Sequence, residues 1–163
     1  MTHRFLPGLL GFICALCILA CGPNYLYQET KTLGDAGWTY QDSLDFPFSI
    51  SDTNRIYNLY LDVEHDNSYP FQNMYIKIHT AFPDGQRPAQ QVSINMADKV
   101  GQWYGNCGST RCELRVPIQT GAFFNQAGDY QVTIEQFMRR DPLPGIKTLS
   151  FRIEDTGQQR NEK

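Results

Sequence analysis

Histidine, tryptophan and cysteine are scarce in this chain, with 3, 2 and 5 copies among 163 residues. A zinc centre needs four ligands, usually His or Cys, and the supply is too thin and too scattered for one. No apolar run reaches the roughly 20 residues that cross a bilayer as a helix. No G-x-S-x-G or H-E-x-x-H spacing occurs, so hydrolytic nucleophiles and zinc-protease chemistry find no support. No glycine-rich loop opens a helix, which removes the usual phosphate cradle. Basic residues do not outnumber acidic ones, 14 against 17, so nucleic acid is not an expected partner. A 3.6-residue apolar period is nowhere sustained long enough for a major helix.

The longest apolar stretch, Phe5 to Ala20, follows the positive start Met1-Thr2-His3-Arg4 and ends on a cysteine. These are the length and flanks of a secretory signal. Ile18-Leu19-Ala20-Cys21 resembles the bacterial lipobox: aliphatic residue, apolar residue, small residue, then the cysteine whose thiol takes diacylglycerol. Cys17 is a poor rival because the bulky Leu16 precedes it. Acylation of Cys21 would anchor the mature chain firmly, because two or more acyl chains give stable membrane attachment. Gly22 is not the aspartate that retains lipoproteins in the inner membrane, so the outer membrane is the expected address. No acidic run follows Cys21, which favours the periplasmic leaflet.

Cys14 and Cys17 leave with the signal and Cys21 carries lipid, leaving Cys107 and Cys112. In an oxidising compartment a structural disulfide is the leading reading, ahead of free thiols and of metal or redox use. The four intervening residues, Gly-Ser-Thr-Arg, suit a hairpin loop.

From residue 45 apolar side chains recur at every second position. The runs centre on Phe46–Ile50, Tyr57–Val63, Met74–Ile78, Val92–Met96, Leu114–Ile118, Tyr130–Ile134 and Leu149–Ile153. Turn residues separate them, among them Asp66-Asn67-Ser68, Pro83-Asp84-Gly85 and Ala127-Gly128-Asp129. This pattern predicts an all-β fold, an antiparallel, jelly-roll-like β-sandwich. One helical turn is allowed at Asn95 to Lys99. Residues 1–20 read as signal peptide, 21–44 as lipidated N-terminus and tether, 45–155 as the sandwich and 156–163 as a polar tail. A flexible tether of that length would span about 26 Å. Its aromatics Tyr25, Tyr27, Trp38 and Tyr40 suggest that part of it packs down.

Candidate contact residues are few. Trp103 and Tyr104 point to opposite faces if extended, one to the core and one to solvent. Arg139 and Arg140 likewise diverge, one to pair with a carboxylate and one to face a partner. Tyr60 and Tyr75 lie on the polar sides of their strands and would form an aromatic platform if those strands were neighbours. His65 and His79 read as ordinary surface histidines. Asp62, Glu64 and Asp66 read as a solvated strand edge.

The stretches "FPFSISDTNRIYNLYLDVEHDNSYPFQNMYIKI", "MADKVGQWYGNCGSTRCE" and "AGDYQVTIEQFMRRDPLPGIKTLSFRIE" resemble, in order and spacing, the gliding-motility lipoprotein GldH family of Bacteroidota. The match is carried by Asp52, Tyr57, Tyr69-Pro70, Asn73, Gly101-x-Trp103-x-Gly105, Gly128-x-Tyr130, Gln136-x-Met138-Arg139 and Leu143-x-Gly145-Ile146. The Cys107/Cys112 pair departs from the glycine-rich hairpin of that family and reads as a local staple. The resemblance implies a non-enzymatic accessory or scaffold of the cell envelope, tied to gliding and type IX secretion. It implies other envelope proteins as partners and no cofactor or small-molecule ligand. Asp42-Ser43-Leu44 resembles the O-glycosylation motif of the phylum, with Ser43 as acceptor. The rival reading is a glycan-binding sandwich module.

Overall fold

The computed structural model describes residues 22–160. The stretch expected as signal peptide, residues 1–20, and Cys21 lie outside the described residues. Among the described residues nine strands occur in chain order: β1 Tyr25–Thr32, β2 Leu44–Ile50, β3 Arg55–Asp66, β4 Asn73–Ala81, β5 Ala89–Asn95, β6 Asn106–Cys107, β7 Arg111–Ala122, β8 Gly128–Gln136 and β9 Ile146–Gln159. They form two antiparallel sheets, ordered β1-β9-β3-β7-β6 and β2-β8-β4-β5. The eight long strands are arranged as a jelly roll, with β6 added at one edge.

The inner faces explain the alternation. Phe46, Phe48 and Ile50 of β2 are buried while Pro47 and Ser49 are exposed. Leu61, Val63, Met74, Ile76, Ile134, Leu149 and Ile153 meet them between the sheets, nearly all fully buried. Near one end the core is aromatic: Phe48 stacks on Tyr130 with ring centroids 5.5 Å apart, and Phe124 meets Tyr130 edge-on at 4.9 Å. Such pairs add roughly 0.5–1.5 kcal/mol each beyond area burial.

The stretch expected as tether is folded from Asn24 onward, which differs from a 21–44 linker. β1 pairs with β9 from Tyr25↔Glu154 to Thr32↔Thr148. The backbone N–H of Asp155 donates to the Asn24 carbonyl at 2.8 Å. A bulge between Tyr25 and Tyr27 inserts Leu26 and reverses which face the chain presents. Tyr27 therefore packs inward on Phe48 and Phe151, whereas Tyr25 lies outside against Arg115 and Arg152. Beyond β1, Trp38 is fully buried and bridges Leu143 through paired backbone hydrogen bonds. The segment expected as a polar tail also starts as sheet, because β9 continues to Gln159. No helical turn forms at residues 95–99; the chain leaves β5 and Ala97 bridges Trp103.

Two further expectations are overturned. His65 is fully buried, because the inward phase of Tyr57, Leu59, Leu61 and Val63 runs one step further. Its ring packs edge-on against Trp103 at 4.7 Å, and its Nδ1 lies 2.9 Å from the Asp66 carbonyl. Asp62 is no solvated edge residue: β3 is flanked by β9 and β7, and each supplies an arginine that closes over it.

Because the strands run antiparallel, the sandwich has two ends. The chain enters at β1, beside the loops 51–54, 82–88 and 123–127 and the finish of β9. The opposite end carries 33–43, 67–72, 96–110 and 137–145. Along β3, at about 3.3 Å per residue, the two are roughly 35 Å apart.

Candidate functional site

At the end far from chain entry, the turn after β8 is built around a buried amide. The Gln136 side chain accepts from the Met138 N–H (2.9 Å) and donates to the Arg140 carbonyl (3.2 Å). Tyr40 braces the same turn, its hydroxyl donating to the Met138 carbonyl at 2.6 Å and its N–H donating to Asp141 Oδ1 at 3.1 Å. The Phe137 N–H donates to the Tyr75 carbonyl, so the turn lies over the start of β4. These bonds present Phe137, Arg139 and Arg140 outward, all exposed.

The result is a cleft of ≈ 660 Å³ lined by Phe71, Tyr75, Gln91, Phe137, Met138, Arg139 and Arg140. Its walls are apolar and its rim is cationic. Among the described residues neither arginine forms an ion pair. The expected carboxylate partner for one of them is therefore not found, because Asp141, the nearest acid in sequence, bonds Tyr40 instead. Phe71 also lines a second, more polar cleft of ≈ 520 Å³ with Pro70, Asn73, Asn95, Asp98, Lys99 and Tyr104. The two clefts share Phe71, and each takes a residue of β5, Gln91 in the first and Asn95 in the second.

The candidate residues thus separate by role. Tyr104 is exposed and lines the second cleft, while Trp103 is half-buried against His65 and Tyr69. Gly105 follows at a φ of 91°, where an added Cβ would run into the Glu113 carbonyl. Cys107 and Cys112 are disulfide-bonded across the β6–β7 hairpin, with Cα atoms 4.0 Å apart. Ser43 is exposed at the foot of β2, within 3.3 Å of Glu135. Its neighbour Asp42 closes a turn, accepting from the Thr39 N–H and hydroxyl, which hold its carboxyl below the usual range. Tyr60 and Tyr75 lie on different sheets and form no joint platform. Cys21 lies outside the described residues.

Phe71, Tyr75, Phe137 and Met138 were not singled out together by sequence reasoning. They come from two stretches more than sixty residues apart, and the crossing of the post-β8 turn over the start of β4 joins them. His79, half-buried, meets Glu135 at 3.2 Å.

The outer face of the five-stranded sheet holds the strongest electrostatic feature. Asp62 Oδ1 accepts from Arg115 Nε at 2.7 Å, and Oδ2 accepts from Arg115 (2.8 Å) and from Arg152 Nε (2.6 Å). Burial alone would push this carboxyl up. The hydrogen bonds and charges of the two arginines outweigh that and hold it below the ordinary carboxylate range. Arg115 also donates to the Tyr25 hydroxyl at 3.0 Å. Both carboxylate oxygens are engaged by arginines, so this cluster ties β1, β9, β3 and β7 together. Among the described residues no group of three or more His, Cys, Asp or Glu side chains is placed to hold a metal.

Two curated proteins match this chain over most of its length. A gliding motility lipoprotein GldH from Flavobacterium johnsoniae is 27% identical over 90% of this chain and 94% of its own length. A gliding motility lipoprotein GldH homolog from Christiangramia forsetii is 24% identical over 83% of this chain and 86% of its own. Among solved structures, dimeric latent PorU from Porphyromonas gingivalis covers 83% of this chain and 14% of that one, at 9% identity. Its TM-score of 0.27 carries no argument. The GldH lipoprotein family model matches residues 25–153, a span that begins where β1 begins and ends within β9. This chain belongs to the GldH lipoprotein family.

Proposed function

We propose that the protein is a non-enzymatic accessory of the gliding and type IX secretion machinery that docks another envelope protein in the far-end clefts. Cys21 carries the lipid, the outer membrane is the site, and the domain faces the periplasm. The observation that carries this reading is the cleft itself. Two arginines that form no ion pair among the described residues rim an apolar floor that includes exposed Tyr75 and Phe137, at the end opposite the chain's entry. Exposed aromatics and arginines are the side chains that most often dominate protein–protein binding energy. A fixed Gln136 brace presents them in one geometry, which lowers the ordering cost of association.

The test is crosslinking in native envelopes, comparing wild type with Tyr75→Ala and with an Arg139→Ala/Arg140→Ala double variant. Loss of one defined crosslinked species, with lipidation and folding unchanged, is expected. Identical crosslinks from all three proteins would reject the cleft as the contact. Radiolabelled palmitate absent from the protein would reject Cys21 as the anchor. Removal of the domain by protease added to intact cells would reject the periplasmic orientation.

A further inference from the structure

The exposed large apolar side chains among the described residues fall into two groups. Tyr40, Tyr75, Val100, Tyr104 and Phe137 sit at the far end, with the clefts. Leu26, Phe82 and Phe123, at 42%, 37% and 48% exposure, sit at the end where the chain enters. The middle of the sandwich exposes none. The second group is unexplained by a docking role at the far end.

We infer that the Phe82/Phe123 end rests on the lipid surface itself, with these rings in the interfacial layer. The inference rests on the acylation of Cys21. Its geometric argument is the shortness of the free chain. Asn24 is already hydrogen-bonded to β9 through its carbonyl, so only Gly22 and Pro23 separate Cys21 from the fold. Three Cα–Cα steps reach at most about 11 Å. An acylated Cys21 sits at headgroup level, and the entry end is held within that distance of it.

The chemistry of the end fits a lipid interface. Phe82 and Phe123 line one shallow cavity with Phe124 and Tyr130, so the exposed rings are backed by the aromatic core. The Arg160 guanidinium lies 3.9 Å from the centroid of the Phe123 ring, a cation set beside an apolar group as at membrane interfaces. Arg55, Arg87 and Arg160 are offset by Asp52, Asp84, Asp129 and Asp155 in the same loops and strand ends. The attraction is therefore apolar, and salt should change it little. In this pose the clefts stand roughly 35 Å above the lipid, the length of β3.

The full-length lipidated protein in vesicles of phosphatidylethanolamine and phosphatidylglycerol, with and without bromine on the acyl chains, tests this. The native Trp38 and Trp103 both lie at the far end and set an unquenched baseline. Phe123→Trp and Phe82→Trp should add emission that is blue-shifted and lost to bromolipid, at low and high salt alike. Tyr104→Trp should add emission that bromolipid leaves intact. Protein that floats with the vesicles while both entry-end tryptophans escape quenching would overturn the contact and leave the anchor standing. Protein that fails to float would overturn the anchor and this inference together. Entry-end emission that shifts with protein concentration but not with bromolipid would assign the surface to a second copy, against the proposal.

Discussion

Replacing Asp62 with asparagine tests the outer-face cluster most directly. The carboxylate is 3% exposed and accepts three charge-assisted hydrogen bonds, two from Arg115 and one from Arg152. Asparagine keeps the shape but offers one acceptor oxygen, and turns an NH₂ towards a guanidinium that can only donate. Removing one partner of a buried pair costs about 3–5 kcal/mol. The Arg115 side chain is 46% exposed, so water relieves part of that penalty and about 2–3 kcal/mol is the better expectation. For a domain of this size that is a melting-point drop of roughly 6–12 °C. The effect should depend on pH with a definite sign. A carboxyl whose folded pKa is depressed stabilises the protein above its unfolded pKa, near 4, and loses that contribution as pH falls through the lower folded value. Denaturant titrations at pH 7 should therefore separate wild type from Asp62→Asn, and the gap should close progressively below about pH 4. A difference under about 0.5 kcal/mol at pH 7, or one that stays constant into acid, would refute the reasoning.

Three other outcomes follow from packing and backbone geometry. Trp38→Ala should cost about 3–5 kcal/mol in denaturant unfolding, because it empties a fully buried site and frees the Asp42 carbonyl that accepts from the indole (2.7 Å); a loss under 1 kcal/mol would return residues 33–43 to the status of a linker. Gly105→Ala should cost about 2–4 kcal/mol, since its positive φ and the Glu113 carbonyl both oppose a side chain, and an unchanged thermal melt would contradict that geometry. Cys107→Ala/Cys112→Ala should lower stability by about 2 kcal/mol, the loop-entropy value for so short a ring, while leaving crosslinks through the Arg139 cleft intact.

What the sequence shows and hides follows from how many surfaces each strand packs. β2, β4, β8 and most of β3 bury an apolar face and carry mostly polar side chains on the other, so Phe46, Phe48, Ile50 and their counterparts alternate plainly. β1 is an edge strand with no fully buried residue, and its bulge at Leu26 breaks the phase between Tyr25 and Tyr27. Its half-buried positions are held by Tyr25, Tyr27, Glu29 and Lys31, so no apolar period can be read there. Asp62 occupies a polar position in the alternation, and nothing local announces that arginines fifty-three and ninety residues later will cover it. The clefts were half legible: Tyr104, Arg139 and Arg140 stand out as exposed chemistry, but Phe71, Tyr75 and Phe137 become one wall only through tertiary contact. Gln136, which sets the turn, looks in sequence like any other polar residue ending a strand.

With Cys21 acylated as proposed, the anchor would adjoin the first folded strand, and that would decide how the domain bears load. A pull between that lipid and a protein docked as proposed in the far clefts would enter at Tyr25 and run along β1 towards Thr32. Force in that direction slides β1 lengthwise against β9, stretching the whole ladder from Tyr25↔Glu154 to Thr32↔Thr148 at once. A peeling geometry would break those bonds singly. The Tyr25 hydroxyl, tied to Arg115 across the sheet, adds a cleat at the point where tension arrives.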